Sequence, residues 1–386
     1  MTESTLFDFD QVVERRHTQS DKWEKYAGQD ILPMWVADTD FRSPPAVIEA
    51  LHQRVDHGVF GYGHAPEHLT QLIIERMQTR YQWTIEADWL VYLPGLVCGL
   101  NLAARALTES AQSIMTPSPI YPPFVSSAKL AERELIKAPV TLQADNRWLM
   151  DLNQAEQSIT EQTKLLQFCN PLNPGGTVYR REELEAVHAF AKKHDLLVCS
   201  DEIHSDLILS PDAKHIPFAS LNEDAAQRSV TLIAPSKTFN IAGLGASIAI
   251  IPNPALRARF TRTRQGIVPS LNVLAYTAAE AAYDKGQAWL DVQLDYLRGN
   301  RDYLLREINQ IEGLTLHPFD ATYLAWIDAS ALPVANPFLF FEKAGVGMSP
   351  GSDFGNSKFV RLNFGCTRAL LEEAVKRIKT AVAGLN

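Results

Sequence analysis

A chain of 386 residues, 46% of them hydrophobic and 21% charged, is long enough to bury a large core and too apolar for a disordered or fibrous protein. The formal net charge of -9, with no basic tract, argues against nucleic acid and anionic membrane surfaces as partners. Four cysteines without CxxC spacing exclude a disulfide framework or zinc ribbon and read as small buried hydrophobes in a reducing compartment.

The first thirty residues are polar, lack hydrophobic periodicity and contain no signal-like apolar core, so we expect a cytoplasmic protein with an N-terminal arm lying over the rest. No internal repeat stands out, and no run of 18 apolar residues occurs. A short apolar stretch at 32–36 leads into Ala37, Asp38, Thr39 and Asp40. Ser43, Pro44 and Pro45 then open a helix running to about residue 57, because proline suits the first helical turn. A second helix is expected over 69–81.

Residues 89–93 read as a strand. The Pro94-Gly95-Leu96-Val97 turn that follows opens another helix, and the backbone N–H groups of such a turn form a natural anion seat. Residues 117–123 carry too many prolines for a helix or central strand and are expected to hold Tyr121 in a rigid loop. A strand over 164–168, a loop from Asn170 to Gly176 and a helix over 182–194 follow. The helix has acids in its first turn and lysines in its last, which suits its dipole.

Two further apolar runs end at chemistry. Residues 196–199 run straight into Asp201, and residues 230–233 into Pro235, Ser236 and Lys237. Alone, Asp201 reads equally as a helix cap, and Lys237 as a solvated loop lysine. Together they carry more weight, because ligands of open α/β sheets gather beyond the carboxyl ends of parallel strands. A lysine amine and a carboxylate facing one ligand suit pyridoxal phosphate: the amine takes its aldehyde as a Schiff base, and the acid keeps its ring nitrogen protonated.

Beyond Pro252 the pattern changes. Apolar residues at Leu290, Leu294, Leu297, Leu304, Ile308 and Ile311 predict one long amphipathic helix linking two domains. Short strands over 323–327, 346–348 and 359–364 and a closing helix over 369–382 complete a smaller α+β domain. The strand, turn and helix alternation from 89 to 251 predicts an α/β fold, a large domain with a mostly parallel, seven-stranded-type sheet flanked by helices. We place this large domain at 46–285, and the small one at 1–45 together with 286–386. Arg361 lies in an apolar strand, where an unpaired charge is costly, so it needs a partner.

The motifs CNPLNPGG (169–176), SDEIHSDL (200–207), PSKTFNIAGL (235–244) and FVRLNFGC (359–366) resemble those of the fold-type I, aspartate-aminotransferase-like pyridoxal-phosphate enzymes. LPMWVADTDF (32–41), FGYG (60–63) and TYLAWID (322–328) are similar to the cystathionine β-lyase or cysteine-S-conjugate β-lyase branch of the MalY/PatB type. The resemblance implies that Lys237 carries the cofactor and removes the substrate α-proton, while Asp201 faces the pyridine nitrogen. It places Asn173 and His204 near the ring's phenolic oxygen and Tyr121 on the ring face. Gly95, Leu96, Val97 and Ser236 would hold the phosphate, and Tyr62 would reach the phosphate of a neighbouring subunit, which implies a homodimer with a shared active site.

Arg361 would bind the substrate α-carboxylate, with Ala37 and Tyr62 also on the substrate side. Two positions depart from the family pattern: Gly175 stands where threonine is usual, and Gly245, eight residues after the lysine, where an arginine often clamps the phosphate. The implied reaction is β-elimination of an L-cysteine thioether such as cystathionine to pyruvate, ammonia and a thiol. An aminotransferase uses the same residues, and a cofactor-binding protein that docks a regulatory partner is the third alternative.

Overall fold

In the computed structural model, which describes residues 7–385, the N-terminal arm is pinned by charge. Lys22 is fully buried and pairs with Asp40 at 2.8 Å, while Arg15 reaches Asp38 and Asp40 at 2.7 Å each. The arm then forms the two-residue strand β1 (Leu32–Pro33). Residues 1–6 of the expected arm lie outside the described residues.

The large sheet has eight strands where seven were expected: β2 (Leu90–Leu93), β3 (Ser113–Ser118), β4 (Glu134–Leu142), β5 (Trp148–Met150), β6 (Thr163–Cys169), β7 (Leu197–Asp201), β8 (Ser229–Ile233) and β9 (Ser247–Ile250). Their order is β2-β9-β8-β7-β6-β3-β4-β5. The four inner pairings from β8 to β4 are parallel, and the outer ones antiparallel. Helices cover the sheet, which is why β8 is buried at every position and reads as an unbroken apolar run. The helix Arg181–Lys193 buries Leu184, Val187, Phe190 and Ala191, the face its periodicity predicts, and the Glu183 carboxylate accepts from the Arg180 N–H at its start.

The proline-rich segment corrects one expectation. Pro117 lies inside β3, a central strand, and Pro122 opens the helix Pro122–Leu130. Both fit because neither N–H is needed. Pairing of β3 with β6 ends at Met115, so Pro117 has only β4 beside it, and Pro122 and Pro123 occupy the first helical turn, whose N–H groups lack partners in any helix.

The 22-residue helix Gln287–Ile308 buries Leu290, Leu294, Leu297, Leu304 and Ile308 along one face. Against it pack the closing helix Arg368–Ala383 and a four-stranded antiparallel sheet of β10 (Thr315–Leu316), β11 (Leu324–Asp328), β13 (Ser349–Pro350) and β14 (Phe359–Asn363). Strand β12 (Val346–Gly347) pairs with β1, so Leu32, Met34 and Phe41 of the arm share one core with Leu324 and Leu362. Among the described residues no helix is long and apolar enough to cross a membrane, and no group of three or more His, Cys, Asp or Glu is placed to hold a metal ion.

Candidate functional site

Strands β7 and β8 are neighbours, with Asp201 in register with Leu232, so both deliver their carboxyl ends to the same edge of the sheet. There a cavity of about 480 Å³ opens between the large sheet, the arm and β14. Asp201, the last residue of β7, lines it. So does Lys237, from the short helix Pro235–Thr238 that follows β8.

The Lys237 Nζ donates to the Ala37 carbonyl at 2.7 Å, and the buried Tyr323 hydroxyl donates to the same oxygen at 3.1 Å. Loss of hydration on burial pulls the amine down to about 8, with the nearby Arg361 charge lowering it further and Asp38 and Asp201 opposing. A good fraction of the amine is therefore neutral near physiological pH. Burial pushes the Asp201 carboxyl the other way, up to about 7. Its Oδ1 accepts from the Ile203 N–H at 3.1 Å, a turn contact; no helix begins there for it to cap. The adjacent acid has a different job: Glu202 is buried and bonded to Ser200, His215 and the Phe218 N–H.

Arg361 projects from β14 into the same cavity and is 3% exposed. No carboxylate lies within ion-pair distance of it among the described residues. Its partners are neutral: Nη1 donates to Asn173 Oδ1 at 3.0 Å, and Nη2 to the Trp35 carbonyl at 3.0 Å and Ser349 Oγ at 3.3 Å. The guanidinium lies 4.6 Å over the Phe354 ring, and its Nε has no partner. Dehydration lowers even this group, to about 10. A buried cation held only by neutral groups and left partly unsatisfied is an arrangement that an incoming anion completes.

The other expected residues meet here with one exception. Asn173, Tyr121 and His204 line the cavity. Tyr121 is locked to the Asn170–Gly176 loop by its N–H donating to the Asn173 carbonyl at 2.9 Å. His204 is 2% exposed with an unpartnered Nδ1, and burial takes its imidazole down to about 3, with Lys237 and Arg361 adding to the effect, so the ring is neutral. Gly95, Leu96 and Val97 lie at the start of the helix Leu96–Leu107, whose first turn no side chain caps, and Ser236 stands opposite. Ala37 lines the cavity, with its carbonyl on Lys237. Tyr62 does not line it; its side chain is wholly exposed.

Gly245 also lines the cavity, and its backbone explains the missing arginine. Its φ is +75°, and a Cβ would stand 2.6 Å from the Pro94 carbonyl oxygen. No side chain fits there without moving the turn that carries Gly95.

Sequence reasoning missed the groups that hold these residues in place. Asn363 donates to the Val36 and Asp38 carbonyls, and Asn240 to those of Thr39 and Phe41, so two asparagines drape residues 36–41 across Lys237. Ser349, Trp35 and Tyr323 complete the surroundings of Arg361 and Lys237. The conspicuous stretches at 32–41 and 322–328 contain the last two, but which atoms they offer depends on tertiary contacts.

An amine, an acid, an uncapped helix start and a lone guanidinium around one cavity on this fold define a class of protein, the aminotransferase class I and II family. Its family model matches residues 30–378, and the chain belongs to it. Within that class the chain is 39% identical to cystathionine β-lyase PatB of Bacillus subtilis, over 97% of this chain and all of that one. The crystal structure of a protein named OvoB superposes with a TM-score of 0.96 at 59% identity, covering 97% of this chain and 99% of its own. Cystalysin from Treponema denticola, which contains a pyridoxal 5'-phosphate cofactor, superposes with a TM-score of 0.94 at 32% identity, covering 98% and 100%.

Proposed function

We propose that this protein is a pyridoxal-phosphate-dependent carbon–sulfur β-lyase that cleaves L-cystathionine or related L-cysteine S-conjugates. The observation that carries the reading is Arg361, a buried guanidinium without an acidic partner, facing the same cavity as Lys237 and Asp201. The name of the 39%-identical relative and the cofactor of cystalysin support it.

The cavity's own atoms fit the cofactor. Lys237 would hold its aldehyde, Asp201 its ring nitrogen, Tyr121 its face, and Asn173 with His204 the phenolic oxygen. The N–H groups from Gly95 to Val97 and the Ser236 hydroxyl would take the phosphate. Bound there, pyridoxal phosphate supplies an electron sink for the pair left behind when a substrate α-proton departs. Arg361 grips the α-carboxylate through its fork and so fixes which α-bond faces Lys237. Lys237 Nζ, in its neutral form, would accept the α-proton. The β C–S bond then breaks with its electrons going to sulfur, and water completes the products: pyruvate, ammonium and a thiol.

Tyr62, wholly exposed on its own subunit, belongs to this proposal as a residue that serves the neighbouring site of a homodimer. We also read residues 46–285 as the cofactor-binding domain, and 1–45 with 286–386 as the smaller one. The test is cystathionine supplied without any keto acid. Pyruvate and thiol in equal amounts support the lyase. Turnover that requires a keto acid and releases no thiol makes the protein an aminotransferase instead.

A further inference from the structure

The open side of the cavity carries two charges that the reaction leaves unused. Lys25, exposed on the arm, holds its Nζ 4.7 Å from the Trp35 ring centroid, 4.9 Å from that of Tyr26 and 5.6 Å from that of Phe338. Among the described residues it has no ion-pair partner. Asp353, exposed in the short helix Gly351–Phe354, lines the same cavity, and among the described residues its carboxylate forms no ion pair or hydrogen bond. A lysine poised over aromatic faces without an acid beside it is positioned and still electrostatically available.

Its distance from the reaction centre is set by a single residue. Trp35 accepts Arg361 Nη2 on its carbonyl and carries Lys25 on its ring, and the ring is fixed by Nε1 donating to the Lys22 carbonyl at 3.0 Å. The two cations are thus separated by the span of one tryptophan and two contacts. Between them the wall is apolar and aromatic, with Val36, Phe338 and Phe354, which suits a thioether and its methylenes.

We propose that Lys25 and Asp353 form a specificity pair that recognises a second amino-acid head at the far end of the substrate's S-substituent, Lys25 taking its carboxylate and Asp353 its ammonium. The proposal rests on the lyase reading and assigns what that reading leaves open, the residues that select the leaving thiol. Both ends of such a substrate then meet a cation, Arg361 at the cysteine half and Lys25 at the other.

Three conjugates built on the same three-carbon S-substituent test it on the cofactor-loaded enzyme: S-propyl-L-cysteine, S-(3-carboxypropyl)-L-cysteine and L-cystathionine, each assayed for pyruvate. The second adds the distal carboxylate and the third the distal ammonium. In the wild type kcat/KM rises about tenfold on adding the carboxylate, the size of one charge-assisted contact, and rises again on adding the ammonium. Lys25→Met removes the first increment through KM, and Lys25→Arg keeps it. Asp353→Asn removes the second increment and leaves the first. A merely structural lysine would change all three substrates alike, so the ratios are the readout.

The proposal is overturned if the wild type handles the three conjugates equally, or if the increments survive in Lys25→Met and Asp353→Asn while pyruvate still forms. Absence of pyruvate from all three would instead overturn the lyase reading itself.

Discussion

Asp201 is a carboxylate kept almost without water and, before a cofactor arrives, without a cation to pair with, so its folded value stands near 7 against about 3.8 for the unfolded chain. The sign follows directly. A raised carboxyl binds its proton more tightly in the folded state, so stability present at pH 4 is lost as pH rises through 7, by at most about 4 kcal/mol for a displacement of this size. Asp201→Asn escapes that loss. Thermal unfolding of the cofactor-free protein should show wild type and variant alike near pH 4 and the variant more stable by a few °C at pH 8, while its lyase activity falls about a thousandfold or more. Lys237 titrates in the opposite sense. Because only the neutral amine attacks an aldehyde, the rate at which cofactor-free protein captures pyridoxal phosphate should rise about tenfold per unit up to pH 8 and then level off, followed as visible absorbance that Lys237→Ala does not develop. These two residues were legible in the sequence because each closes an apolar run. Lys25 was not, since nothing in a polar arm announces that Trp35 and Phe338 will surround one particular lysine.

At the scale of elements, the turns around the cavity are more constrained than the strands that carry them. Gly245 combines a left-handed backbone with a 2.6 Å approach to Pro94, so Gly245→Arg, the residue that the family resemblance led us to expect there, should weaken cofactor binding. We expect it to cost about 1–3 kcal/mol of stability, read as a lower denaturant midpoint with an unchanged slope. The parallel heart of the sheet was readable from its alternation of apolar runs, turns and helices. Strands β4 and β5 were not, because the nine residues Glu134–Leu142 mix charge, proline and apolar positions and are half-exposed at the sheet margin. Pro117 misled for a related reason: a local rule about proline gave way to a register in which one side of β3 is already unpaired.

For the molecule as a whole, the arm ties the large sheet to the smaller one through side chains. Its strand β1 pairs with β12 in a separate two-stranded sheet, and residues 36–41 are held both by Asn240 from the β8–β9 connection and by Asn363 from β14. The anchor is Asp40, buried between Lys22, Arg15 and Trp23; burial alone would raise its carboxyl, but the Lys22 charge, with Trp23 and Arg15 behind it, outweighs that and holds it below the usual carboxylate range. Asp40→Ala leaves Lys22 buried with only Asp38, 3.9 Å away, so we expect about 3–5 kcal/mol of destabilisation, measured by denaturant unfolding near neutral pH. The same link should loosen in the wild type only in strong acid, as pH falls below the ordinary carboxylate range through the lowered folded value of Asp40 and its carboxylate takes up a proton. Size-exclusion chromatography against concentration checks the dimer. Mixing Tyr62→Ala with Lys237→Ala subunits should restore about a quarter of wild-type activity if Tyr62 acts across the interface, and none if it does not.

The carbonyl that holds Lys237 comes from position 37, and the guanidinium across the cavity from position 361 of 386. A growing polypeptide on the ribosome can therefore finish the whole parallel sheet and still lack a working pocket. Every group assigned to the vitamin-derived ring is synthesised by then, but the fork that grips the amino acid is not, so turnover must wait until translation is nearly over.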